Sequence, residues 1–281
     1  VRDINHKYIV VEKKRKNQII EIISIKEKKK VAKEKTEVVN DLLGYNGLKI
    51  IQRPDIFNFS LDSTILASFV TIKPSDKKII DLGCGNGFIP IFLTLRTNAQ
   101  IYGVEIQEEI AKLAIRSVEL NHLESRITII NSDMKNLHTR FNTSSFDIVT
   151  CNPPYFKYQE GSNINESMYQ TIARHEIYIT LEEVIKVAHI LLKDKGTFAM
   201  VHRASRMIEI IKLLEKYHFE IKKVRFVYPK VNSNYALAVL VEAKKKGKSG
   251  EIKIEQPLYI ENEDGTYTNE ILKIFNYKKD E

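Results

Sequence analysis

Two periods alternate along this chain. Runs of strand length, Lys78–Leu82, Ile101–Glu105, Ile127–Ile130 and Phe146–Cys151, are dominated by apolar residues. Between them the apolar positions recur at helical spacing. Over Glu108–Leu120, residues Ile110, Leu113, Ala114, Val118 and Leu120 fall on one face, which predicts a helix with one buried side. Phe88–Arg96 reads as a second helix, and Thr180–Leu192 as a third opened by the capping-box pattern Thr180-Leu-Glu-Glu183. Gly196–Val201 is a fifth strand and Arg203–Tyr217 a further helix. Strands that alternate with helices in this way predict an α/β fold with a parallel sheet between helical layers. Phe219–Tyr228 and Ala236–Ala243 break the alternation. The six residues from Pro229 to Asn234 are too few for a crossover helix, so these two strands run antiparallel.

Shorter signals flank this region: a strand at Leu48–Ile51, a helix at Ser63–Val70, a strand at Pro257–Ile260 and a short terminal helix. The texture divides the chain into a basic N-terminal extension (1–37), a main domain (38–245) and a C-terminal strand and helix appendage (246–281).

With 281 residues and 43% hydrophobic content, the chain can bury a full core. No apolar run approaches the roughly 18 residues of a membrane span, and the first residues lack the apolar stretch of a signal peptide. Cys84 and Cys151 form neither a disulfide framework nor a metal-spaced cluster, which points to a reducing, cytoplasmic setting without a bound metal. The net charge of +8 suggests a polyanionic partner until it is located. Residues 1–36 hold twelve Lys or Arg against five Asp or Glu, and the rest of the chain is almost balanced. That basic stretch reads as a solvated extension, as an RNA-contacting appendage, or, since the chain starts at Val1, as sequence outside the native domain.

Candidate chemistry gathers at three strand ends. After the first strand comes Asp81-Leu-Gly83-Cys-Gly85-Asn-Gly87, a loop whose glycines let a ligand approach the backbone. Asp81 stands where a carboxylate can orient bound groups. Glu105 ends the second strand, where it can accept from two ribose hydroxyls, and Asp133-Met134 follows the third, where Asp can read an adenine amine and Met can pack on the ring. A surface Glu105 and an N-capping Asp133 are the plain alternatives. At the end of Phe146–Cys151 stands Asn152-Pro153-Pro154-Tyr155. It offers an amide oxygen, a stiff turn and an aromatic face, the parts needed to hold a flat amino-bearing group. A plain turn closing a strand is the alternative here.

These motifs resemble those of the class I methyltransferases that use S-adenosylmethionine, whose mostly parallel, seven-stranded, Rossmann-like sheet ends in one antiparallel strand. G-x-G-x-G followed by Phe88 is unlike the G-x-G-x-x-G of nicotinamide enzymes. With Phe59-Ser-Leu-Asp62-Ser63 before the first strand, Phe156 after the tetrapeptide and Ala173-Arg-His-Glu176 beyond, residues 38–245 resemble the bacterial tRNA1(Val) adenine-37 N6-methyltransferases. The resemblance implies S-adenosylmethionine as cofactor, held by Phe59, Asp62, Asp81, Gly83, Gly85, Asn86, Gly87, Glu105, Ile106, Asp133, Met134 and Asn152. It implies Asn152, Pro153, Pro154 and Tyr155 as catalytic residues. Tyr155, Phe156, Arg174 and His175 would meet the RNA, with Phe156–Glu176 a loop ordered by it. A helix cap or salt bridge is the other reading of Arg174 and His175. The expected partner is tRNA, at an anticodon-loop adenine, met by a monomer.

Enzymes that methylate guanine N2 of ribosomal RNA or glutamine N5 of release factors share the tetrapeptide and remain alternatives. A DNA adenine enzyme would need a target-recognition insertion that the chain lacks. A non-catalytic RNA-binding protein would have no need of an intact tetrapeptide and glycine loop.

Overall fold

The computed structural model describes residues 37–45, 47–53, 60–156 and 176–276. Strands β1 (Val38–Asp41) and β2 (Lys49–Gln52) pair antiparallel as a small ribbon apart from the main sheet. Helix α1 (Leu61–Phe69) starts at Ser60, whose hydroxyl accepts the Ser63 N–H. The alternation then runs as its periods require: β3 (Lys78–Leu82), α2 (Phe88–Leu93), β4 (Gln100–Glu105), α3 (Glu108–Leu120), β5 (Ile127–Asn131) and β6 (Phe146–Cys151). Next come α4 (Leu181–Leu191), β7 (Leu192–Arg203), α5 (Met207–Lys216), β8 (Phe219–Lys230) and β9 (Ala238–Lys245). The predicted capping box at Thr180 and Glu183 is formed.

Across the sheet the order is β10-β8-β9-β7-β6-β3-β4-β5, where β10 is Lys253–Ile254. From β5 to β7 all neighbours are parallel, and β9 is antiparallel to both β7 and β8. The seven strands from β3 to β9 are therefore parallel except the last. The antiparallel pairing was legible from the short connection, but the insertion of β9 between β7 and β8 was not. Burial explains it. Almost every residue of β9 is buried, as an interior strand requires, whereas most of β8 is only half covered. Strands β10 and β11 (Leu258–Glu261) then lie parallel to β8, so the sheet extends to nine strands.

One element starts later than its pattern suggested. Arg203 is not helical but closes β7, because residues 197–203 are paired along β9. A single 3₁₀ turn, Ala204–Arg206, precedes α5.

Each sheet face carries its own apolar cluster. One gathers Ile65 and Leu66 of α1, Phe88 and Phe92 of α2, and Val118 of α3, with Ile271 and Phe275 from the end of the described chain. The other gathers Val184, Ile185 and Ala188 of α4 with Ile210 and Leu214 of α5. Helix α6 (Asn269–Ile274) is tied to the loop after β1: the Gly44 N–H donates to the Phe275 carbonyl at 2.8 Å, and Asn276 Nδ2 donates to the Gly44 carbonyl at 3.0 Å.

Candidate active site

Because β3 and β6 are parallel neighbours, their carboxyl ends open side by side. Asp81 is in register with Thr150, and Leu82 with Cys151. The glycine loop and the Asn152 tetrapeptide thus leave the sheet at one place. Gly83, Gly85 and Gly87 have φ of 73°, 56° and 88°, the left-handed region that favours glycine. Among the described residues, a Cβ on Gly83 would find only the Met134 methyl, at 4.0 Å. A Cβ on Gly87 would instead press on Ala114 of α3 at 3.3 Å.

The carboxylates around the loop are buried. Glu105 accepts the Gly85 N–H at 3.1 Å and the Gln107 N–H at 2.9 Å. Burial raises its carboxyl above the usual range, against those backbone donors. It is thus not the surface residue of the plain alternative. Asp81 is fully buried and accepts the Thr150 hydroxyl at 2.6 Å through Oδ1, while its Oδ2 has no partner among the described residues. Burial pushes this acid up to about 8, with the Thr150 bond opposing and the charge of Glu105 adding. Buried polar atoms normally find partners, so an unpaired Oδ2 fits a place where a bound ligand supplies one.

The remaining cofactor candidates divide. Asp133 caps the 3₁₀ turn Met134–Thr139 by accepting the Lys135 N–H at 2.9 Å, as its plain alternative had it. Asn86 is buried and donates to the Ile51 carbonyl at 3.1 Å, which ties the loop to β2, while its Oδ1 lacks a partner among the described residues. Ile106 is partly exposed, and its carbonyl accepts from Asn131 Nδ2 at 3.1 Å. Phe59, Arg174 and His175 lie outside the described residues.

The tetrapeptide is braced from two sides. Asn152 Nδ2 donates to the Ser60 and Ser63 hydroxyls at 3.2 and 3.0 Å. Its Oδ1 lies 2.7 Å from the Tyr155 hydroxyl, which lies 2.7 Å from Asp62 Oδ2. Pro153 is buried and Pro154 half-buried. Behind Tyr155 is His202, its ring centroid 5.4 Å away. Burial, and then the Arg206 cation, depress His202 to about 3, so it is neutral; its Nδ1 accepts the Arg203 N–H at 2.7 Å. Arg206 pairs with Glu176 at 2.5 Å and Glu209 at 2.8 Å, and reaches the Tyr155 carbonyl at 3.5 Å. The Glu176 N–H donates to the Phe156 carbonyl at 2.8 Å, and the Arg203 guanidinium stands 5.6 Å from the Phe156 ring centroid.

The carboxyl ends of β3 and β6 combine a glycine loop, buried acids and an amide–tyrosine clamp. A family model described as "Methyltransferase domain" matches residues 73–269. The chain belongs to that family.

Similar proteins agree with it. The tRNA1(Val) (adenine(37)-N6)-methyltransferase of Aliivibrio salmonicida is 26% identical over 59% of this chain and 68% of its own length. Its namesake from Shewanella woodyi is 26% identical over 56% of this chain and 64% of its own. The chain therefore spans about two thirds of the length of the curated relatives it matches. Among solved structures, a predicted O-methyltransferase from Agrobacterium tumefaciens is 22% identical with a TM-score of 0.61, over 77% of this chain and 96% of the other. At that identity the likeness shows the class I fold and no more.

Within this methyltransferase domain, the sequence assigned no role of their own to Ser60 and Ser63, and His202 and Arg206 were passed over. The two-serine turn was visible as the start of α1, but its contact with Asn152 spans 89 residues or more. His202 and Arg206 carry no motif; pairing of β6 with β7 brings them to the clamp. Among the described residues, no His, Cys, Asp or Glu group could hold a metal, and no helix is long and apolar enough to cross a membrane.

Proposed function

We propose that this chain methylates the N6 amine of an adenine in tRNA with S-adenosylmethionine, the target being adenine 37 beside the anticodon of tRNA1(Val). One observation carries the proposal: the Asn152–Tyr155 clamp opens beside the glycine loop, at the strand ends where Asp81 Oδ2 lacks a partner among the described residues. The names of the relatives support the substrate.

When bound, the cofactor supplies an electrophilic methyl group on a sulfonium. Gly83 and Gly85 would give it room, Asp81 would hold its amino group, and Met134 would pack on its adenine beside Asp133. The Glu105 oxygens already accept the backbone N–H groups of Gly85, Gln107 and Ile106, yet a carboxylate has about four acceptor sites, so one remains for a ribose hydroxyl.

The target amine is a poor nucleophile, because its lone pair is delocalised into the ring. Hydrogen bonds from it to Asn152 Oδ1 and the Pro153 carbonyl draw the nitrogen toward tetrahedral geometry and aim its lone pair. The two prolines hold that carbonyl before substrate arrives. Tyr155 stacks on the base, a contact of roughly 1–3 kcal/mol. An anticodon-loop adenine is already unpaired, so extruding it costs least there. We take residues 38–245 as the catalytic unit, residues 1–37 and 246–281 as additions to it, and the cytoplasm as its place.

The test is incubation with labelled S-adenosylmethionine and unmodified total tRNA, then digestion and mass spectrometry of the nucleosides. N6-methyladenosine is the expected product. Label on ribosomal RNA or a release factor, with none on tRNA, would overturn the substrate.

A further inference from the structure

Tyr155 has one hydroxyl hydrogen and two oxygen neighbours. Its Oη is 2.7 Å from Asp62 Oδ2 and 2.7 Å from Asn152 Oδ1. The nitrogen end of the Asn152 amide is taken by Ser60 and Ser63, which leaves the oxygen end facing the tyrosine. A single hydrogen serves one of these oxygens at a time. Donated to Asn152, it takes one of the two acceptor sites on the oxygen that an amine substrate needs. Donated to Asp62, it leaves that site open.

Building on the function proposed above, we propose that Asp62 is a positioning residue. Its carboxylate takes the hydroxyl hydrogen of Tyr155 and so keeps the Asn152 oxygen free to accept from the target amine. A charge-assisted hydrogen bond is roughly twice as strong as a neutral one, so an ionised Asp62 outcompetes the asparagine amide. Burial raises the Asp62 carboxyl above its ordinary value, and the Tyr155 hydroxyl and the Arg203 charge oppose that rise without cancelling it. Tyr155 keeps its hydrogen, because burial and the neighbouring acid hold its hydroxyl well above the usual range. The motif resemblance gave Asp62 to the cofactor. The structure turns its carboxylate to the substrate clamp, from the first turn of a helix 93 residues away in sequence.

The experiment is a double-mutant cycle of wild type, Asp62→Ala, Tyr155→Phe and the double variant. Each is measured for kcat and KM on tRNA and for cofactor Kd. In Asp62→Ala the tyrosine hydrogen turns to Asn152, and kcat falls by about tenfold or more while cofactor Kd stays within about twofold. In the Tyr155→Phe background no hydrogen is left to misdirect, so removing Asp62 costs less than about twofold. Asp62→Asn keeps the shape and an acceptor oxygen, and recovers part of the lost kcat. Near-native cofactor affinity in each variant shows that it is folded.

Equal losses in both backgrounds would overturn the proposal and make Asp62 a structural partner. A raised cofactor Kd with intact kcat would return it to the cofactor. If wild type methylates tRNA while the two effects multiply, only this inference fails. If wild type methylates no RNA, the proposed function fails and the inference with it.

Discussion

Glu105, the last residue of β4, accepts the backbone N–H of Gly85 at 3.1 Å, across a separation of 20 residues. The same carboxylate accepts the Gln107 N–H at 2.9 Å. One buried acid therefore fixes the glycine loop and stands at the strand end where the ribose is proposed to bind.

Replacing it tests both tasks. Glu105→Ala is expected to weaken S-adenosylmethionine binding at least tenfold, about 1.4 kcal/mol, by equilibrium dialysis or calorimetry. Glu105→Gln should fall between, since its one carbonyl oxygen cannot replace two carboxylate oxygens at both amides. An affinity equal to wild type in the alanine variant would remove Glu105 from the cofactor site.

Asn152 sits at the other end of the chemistry. Asn152→Ala should abolish turnover on tRNA while cofactor affinity stays within about twofold, because the lost acceptor serves the substrate amine. Loss of cofactor binding instead would show that the Ser60–Asn152–Ser63 bridge holds the pocket itself.

Asp81 predicts a pH dependence in the cofactor-free protein. Its folded value of about 8 lies above the ordinary value of about 3.9. Between these values the native state keeps a proton that the unfolded chain has lost, so stability falls as pH rises through the window. Unfolding midpoints from pH 4 to pH 9 should therefore decline less steeply in Asp81→Asn. An identical slope in the variant would mean that Asp81 is ionised in the native state.

Gly44 probes the tie to the end of the described chain. A Cβ there would stand 2.5 Å from the Asn276 carbonyl oxygen, and backbone cannot swing aside as a side chain does. Gly44→Ala should cost about 1–3 kcal/mol in denaturant unfolding, as overpacking does. A loss below about 0.5 kcal/mol would show that the segment around Phe275 detaches cheaply.

Local order was legible wherever one residue's neighbours in sequence are also its neighbours in space. The Glu108–Leu120 helix and the Lys78–Leu82 and Phe146–Cys151 strands stand where their periods put them, and the capping box at Thr180 forms within four residues. The glycine loop was legible for the same reason, since left-handed backbone over a few residues needs glycine. Arg203 was misplaced into a helix because its strand pairing comes from β9, some 35 residues on.

The sequence by itself determined the alternation of elements, the family they belong to and the residue types at each strand end. Only the tertiary structure decided which of those ends share an edge. Sheet order follows from how much of each strand must be buried, and that put β9 between β7 and β8 and placed β3 beside β6. It also brought Asp62 within hydrogen-bond distance of Tyr155, and gave Asn152 two serines and Tyr155 a neutral histidine. Hydrogen bonds made across 50 or 90 residues leave no periodic trace in the chain, because nothing but the packed sheet holds their partners together.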